Sequence, residues 1–153
     1  MTDIREQILA RLFEVVSGLP NIRSAYRNNG EITEDELPAV IVFDGDEEGQ
    51  DANNPDLSQR PPGRPSSVQM TPEIIVAEHS VGQIGSALTP LRRELIKAVL
   101  FDAQLNEIVG TGRLGNGAIR YLGCQTDMGW MRSMHGALRA QFMFKYHLKP
   151  EDL

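Results

Sequence analysis

Apolar residues recur at three- and four-residue steps from the start of the chain: Ile4, Ile8, Leu12, Val15 and Leu19, with Leu9, Phe13 and Val16 widening the stripe. That spacing predicts an amphipathic helix. Asp3 is placed to cap it, Glu6 three residues on makes a box-like start, and Gly18 and Pro20 end it. Arg5, Glu6, Arg11 and Glu14 fall off the stripe and read as solvated.

The pattern then changes from helical to extended. A short strand is expected at 22–27, followed by a turn at Asn28-Asn29-Gly30. Leu37-Pro38-Ala39-Val40-Ile41-Val42-Phe43 is a continuous β-rich run, as in a strand covered on both faces, and it is expected to stop at Asp44-Gly45-Asp46. Residues 49–67 are rich in Pro, Gly, Asn, Asp and Ser, with almost nothing to bury, and predict a long exposed loop that a neighbour orders. Strand character returns at 68–78, with Val68, Met70, Ile74 and Val76 on one face, and Pro72 points to an edge or a bulge.

A second helix is predicted over 86–102, with Leu88, Leu91, Leu95, Ala98 and Val99 inward and Pro90 tolerated only in its first turn. A short helical turn is expected at 103–109, and a strand at 119–126 after a Gly-rich loop. In the last segment Leu138, Ala140, Phe142, Phe144, Tyr146 and Leu148 alternate with Arg139, Gln141, Met143, Lys145, His147 and Lys149. One face of that strand is buried and the other is polar and basic. The order α-β-β-β-α-β-β predicts an α+β domain: a mixed, largely antiparallel sheet of about five strands with two main helices packed on it. No internal repeat is visible.

Length and composition fit that reading. A chain of 153 residues with 41% hydrophobic and 24% charged residues is expected to be one globular domain burying roughly two-thirds of its unfolded surface. A formal charge of −6 argues against general nucleic-acid binding. The N-terminus lacks the pattern of a secretory leader and no apolar run approaches a membrane span, so a soluble protein is expected. Charge is also distributed unevenly. Positions 28–59 hold ten acidic residues and no Lys or Arg, whereas the last strand is edged with basic side chains. Such a split suits contact between protein surfaces, copies of the same chain among them.

No motif for chemistry survives scrutiny. Gly110-Thr111-Gly112-Arg113-Leu114-Gly115 has dinucleotide-site spacing, but a helix precedes it and a strand follows, the reverse of what pyrophosphate binding needs. Asp44, Asp46 and Glu48 resemble the opening of a calcium loop, yet its twelfth position is Pro55. His79, His135 and His147 lack ligand spacing, and the single cysteine, Cys124, has no local activating partner. Arg60-Pro61-Pro62-Gly63-Arg64-Pro65 reads as a stiff loop with two positive charges. Trp130 and Met131, with Met128 and Met134 close by, would sit at the tip of a terminal hairpin, packed on the core or in a subunit contact. No enzyme, cofactor or metal is expected.

Several stretches carry a family likeness: the N-terminal helix, the run from Leu37-Pro38 through Asp44-Gly45-Asp46-Glu47-Glu48, Ile74-Ile75-Val76-Ala77-Glu78, Leu91-Arg92-Arg93-Glu94-Leu95-Ile96-Lys97-Ala98-Val99, and Gly136-Ala137-Leu138 through Lys149-Pro150. Across nearly its full length the chain resembles the tail terminator (tail completion) proteins of long-tailed bacteriophages. The resemblance implies a small α/β virion protein of the tail and neck, made in the host bacterial cytoplasm. It implies a hexameric ring that caps the tail tube, ends tube polymerisation and offers the surface on which the head docks. The partners implied are further copies of the chain, the tail tube protein and a head–tail connector or stopper protein, with DNA passing through the ring. A connector or stopper role is the alternative within that class; a small-ligand-binding domain or Cys124-dependent hydrolase is the alternative outside it. A ring needs two different complementary surfaces on each subunit. Asp44, Asp46, Glu47 and Glu48 are the acidic candidates, with Arg132, Arg139 and Lys145 of a neighbour as their basic partners. Arg60, Arg64 and Trp130 complete the expected interface.

Overall fold

A computed structural model describes residues 3–49, 66–79, 84–110, 118–128 and 135–148. The elements are α1 (Ile4–Ser17), β1 (Ser24–Arg27), β2 (Ala39–Gly49), β3 (Ser66–His79), α2 (Ile84–Leu100), α3 (Ala103–Ile108), β4 (Ile119–Met128) and β5 (His135–Leu148). The strands form one five-stranded sheet in the order β1-β2-β3-β5-β4. Only β1 with β2 is parallel; the other pairs are antiparallel. The chain is therefore α+β with a mixed, mostly antiparallel sheet, the class and element order that its hydrophobic pattern predicts.

Strand periodicity sorts the side chains onto two faces. Val40, Val42, Met70, Ile74, Val76, Leu138, Ala140, Phe142 and Phe144 form one core with Ile8, Leu9, Leu12 and Val16 of α1 and Leu88, Leu95 and Val99 of α2. The opposite face is covered only in part. There Leu37, Ala39, Ile41, Ile75, Ala77 and Ala137 form a smaller cluster, with Tyr26, Ile32 and Phe43 packed against it. This second cluster explains the unbroken apolar run at 37–43, since the start of β2 is buried on both sides.

The boundaries differ from expectation where a single bulge intervenes. β2 does not stop at Asp44-Gly45-Asp46 but runs to Gly49, and β3 begins at Ser66, so Gly49, Ser66 and Ser67 are strand residues. Phe43 faces Glu73 and Asp46 faces Thr71, so Asp44 and Gly45 together oppose Pro72. Pro72 lies on the central strand, not an edge, and offers no backbone N–H; the bulge accommodates the missing ladder bond. Gly45 takes φ +73°, and a Cβ there would sit 2.1 Å from the Thr71 carbonyl oxygen, so the bulge requires glycine. Pro90 lies further inside its helix than expected, because α2 begins at Ile84.

Polar residues of α1 also have more specific roles than solvation. Asp3 accepts from the Arg5 amide as a cap, but Glu6 turns away from any capping box to bind Arg27. Arg11 makes two bonds to Asp102, at 3.0 and 2.8 Å, and Asp102 also accepts from the Leu105 amide at the start of α3. The Arg11 bond holds the Asp102 carboxyl below its ordinary 3.8. A depressed folded value stabilises above the unfolded pKa, and that contribution is lost as pH falls through the folded one. Thermal unfolding from pH 7 to 2 is expected to show stability dropping below about pH 4. Asp102→Asn should be less stable at pH 7 by about 1–2 kcal/mol and show a shallower acid drop. Equal acid slopes would remove Asp102 from the explanation.

Candidate functional site: two charged flanks of the open sheet face

The bulge decides which acidic residues face outward. Its extra residue shifts the strand parity, placing Asp46 and Glu48 opposite Thr71 and Gln69 on the open face and Glu47 opposite Met70 on the helix face. Asp46 and Glu48 are exposed, with no ion pair among the described residues. β1 pairs only with Ala39–Val42, so the acidic half of β2 has no strand partner on its outer side among the described residues. These two carboxylates therefore line one lateral flank of the sheet.

Asp44 and Glu47 are instead used within the subunit. Arg27 binds Asp44 through two bonds of 2.9 and 3.1 Å and Glu6 through two of 2.7 and 2.8 Å. This double fork ties α1, β1 and the bulge together. Burial pushes the Asp44 carboxyl up, but Arg27 and Asn28 together outweigh it and the net shift is downward. The Glu47 carboxylate accepts from the Tyr146 hydroxyl. Burial, then Glu47, push that hydroxyl well above the usual phenol range, so Tyr146 remains a donor. Arg5 approaches Glu47 at 3.8 Å and donates to the Gly45 carbonyl, seating the helix start on the bulge.

The basic candidates lie toward the other flank. Lys145 is on the open face of β5, in the cross-strand row Glu48, Gln69, Lys145. Two strand spacings, roughly 10 Å, separate the Glu48 and Lys145 backbones, and the two side chains form no ion pair within the subunit. Arg139 shares that face and is engaged by Glu73 at 3.0 Å. Arg120, on the opposite edge strand β4, adds a cation paired by register with Met143. Arg60, Arg64, Trp130 and Arg132 lie outside the described residues, as do 50–65, most of the glycine-rich 110–117 stretch and the β4–β5 tip.

Sequence reading missed Arg27, Glu6, Tyr146 and Glu73. Their partners are distant in the chain, and the only local signal was an arginine at the end of a short strand. The register also makes His79 and His135 cross-strand neighbours, a pairing that no spacing rule reveals. Among the described residues no group of three His, Cys, Asp or Glu is arranged to hold a metal ion, and no helix is long and apolar enough to cross a membrane.

Cys124 is half-buried, opposite Ala140, with Arg92 and Tyr121 as neighbours. Arg92 also lies 5.5 Å from the Tyr121 ring centre. Cys124→Ser is expected to leave folding unchanged, within about 0.5 kcal/mol of stability; a larger loss measured by denaturant unfolding would give the thiol a role. No protein-family profile matches the chain, and no curated protein is significantly similar to it.

Proposed function

We propose that the chain is a structural virion protein whose copies, six by the family likeness, form a ring that caps a phage tail tube, ends its polymerisation and receives the head. The observation that carries this reading is the placement of charge: Asp46 and Glu48 on one lateral flank of the sheet, Lys145 and Arg120 toward the other. Two different, complementary flanks on one subunit are what a head-to-tail contact uses. The fold supports the reading too, because a small domain of helices on a sheet is what the family likeness implies. In this reading the contact pairs Glu48 of one copy with Lys145 of the next, and the protein is not an enzyme.

The test is electron microscopy of the protein mixed with its tail tube protein. Terminal caps are expected with wild type and are expected to be lost with Glu48→Lys or Lys145→Glu. The double swap restores the complementary pair in every contact, so caps should return. Bare tube ends with wild type would overturn the reading. Caps with both single variants would overturn the proposed pairing.

A further inference from the structure

Phe43 and Asp46 are neighbours on the open face of β2, and both line a depression of about 540 Å³ with Ile41 and Ile75 at its base. That volume falls within the roughly 300–1,000 Å³ typical of ligand sites. Phe43 is only half-buried, and Asp46 is exposed with no ion pair among the described residues. Arg139, also on the rim, is already engaged by Glu73 at 3.0 Å, so the uncompensated rim charge is negative. Phe43 and Asp46 face Glu73 and Thr71, two residues apart on β3, which sets them roughly 7 Å apart along the strand. A group that fills this depression needs an apolar ring with a cation at about that spacing.

Among the described residues two large apolar side chains are exposed, Phe101 and Leu122. Leu122 belongs to the open face itself, where it lines an adjoining depression with Gln125 and Arg139. Phe101, 61% exposed, lies just past the end of α2, and its N–H donates to the Lys97 carbonyl. Lys97 is therefore one turn back on the same side, roughly 6 Å away, exposed and without an ion pair among the described residues. Ring and cation have the spacing that Phe43 and Asp46 present. The same chain cannot supply them. α2 buries Leu88, Leu95 and Val99 on the helix side of the sheet, whereas the depression opens on the other side, beside Ile41 and Ile75. We propose that the depression receives the Lys97–Phe101 turn of a second copy, with Phe101 against the Phe43 ring and Lys97 on Asp46. The contact is heterologous, joining the helix layer of one copy to the open face of another. It rests on the self-assembly reading above, which supplies the second copy, and uses residues other than the Glu48–Lys145 pair.

Photocrosslinking tests it with full-length protein. One chain carries benzoylphenylalanine in place of Phe101, and a second chain, distinguished by a size tag, keeps its own Phe101. Irradiation of the mixture is expected to give a mixed dimer in which position 101 of the first chain is joined to the 41–46 or 71–75 stretch of the second, as read by mass spectrometry. Lys97→Glu in the first chain, or Asp46→Lys in the second, should each cut the yield about tenfold, and the two together should restore it. Both positions are exposed, so circular dichroism of each variant should match wild type. No mixed dimer, links to other surfaces, or a yield indifferent to those charges overturns the proposal. Recovery of internally linked monomer alone overturns it as well. Caps on tubes without this link would leave the ring reading standing and remove this contact; the link with bare tube ends would do the reverse.

Discussion

Gly45→Val is expected to destabilise the fold by roughly 3 kcal/mol or more, measured by urea or guanidinium unfolding. Two terms add at that position. The backbone sits at φ +73°, which a β-branched residue adopts only under strain, and the new Cβ lies 2.1 Å from a backbone carbonyl oxygen that has no rotamer to escape into. Gly45→Ala should lose nearly as much, because the colliding atom is the Cβ itself. A loss below about 1 kcal/mol for either variant would mean that the bulge relaxes at little cost. The functional consequence is separable. A variant that survives by straightening β2 reverses the parity of Asp46 and Glu48 and, if the proposed capping role holds, should lose tube caps even where it still folds.

Phe142→Ala is expected to cost about 3–5 kcal/mol. Phe142 is fully buried on β5 between β3 and β4, and its ring meets that of Tyr121 at 5.5 Å with a 55° tilt. Removing it takes away apolar burial, leaves a void beneath α2 and strips the edge strand of its main aromatic contact. Phe142→Leu conserves more volume and should cost less than half as much. The denaturant midpoint should move with the slope unchanged; a changed slope would point instead to separation of β4 from the rest of the sheet.

What was legible in the sequence was periodic. The stripe at Ile8, Leu12 and Val16, the alternation from Leu138 to Leu148 and the doubly covered run at 37–43 each announce an element through the spacing of buried side chains, and the fold class follows from their order. Pro72 also announced an irregularity, although the bulge proved to be on the partner strand. The charged site was legible only as composition. Nothing local distinguishes Asp44 and Glu47, which bind within the subunit, from Asp46 and Glu48, which face outward. That division depends on a one-residue shift of register at Gly45 and on Arg27 and Tyr146, 17 and 99 positions from their carboxylate partners. The β2 boundary failed for the same reason, since Asp-Gly-Asp reads as a turn unless the opposing proline is known.

The strand order has a consequence for how the chain reaches this state. β5 comes last in sequence, yet it lies between β3 and β4. Until it is added, β3 shows one unpaired edge and β4 has no partner in the sheet, and the buried rings of Phe142 and Phe144 are missing from the core. The α1–β1–β2 clamp through Arg27 closes over short loops and can form early, whereas the β3–β5 pairing waits for the end of the chain. A truncation that removes 135–148 therefore leaves not a shortened sheet but two exposed templates for strand addition, and such a fragment is expected to aggregate rather than persist as a stable smaller domain.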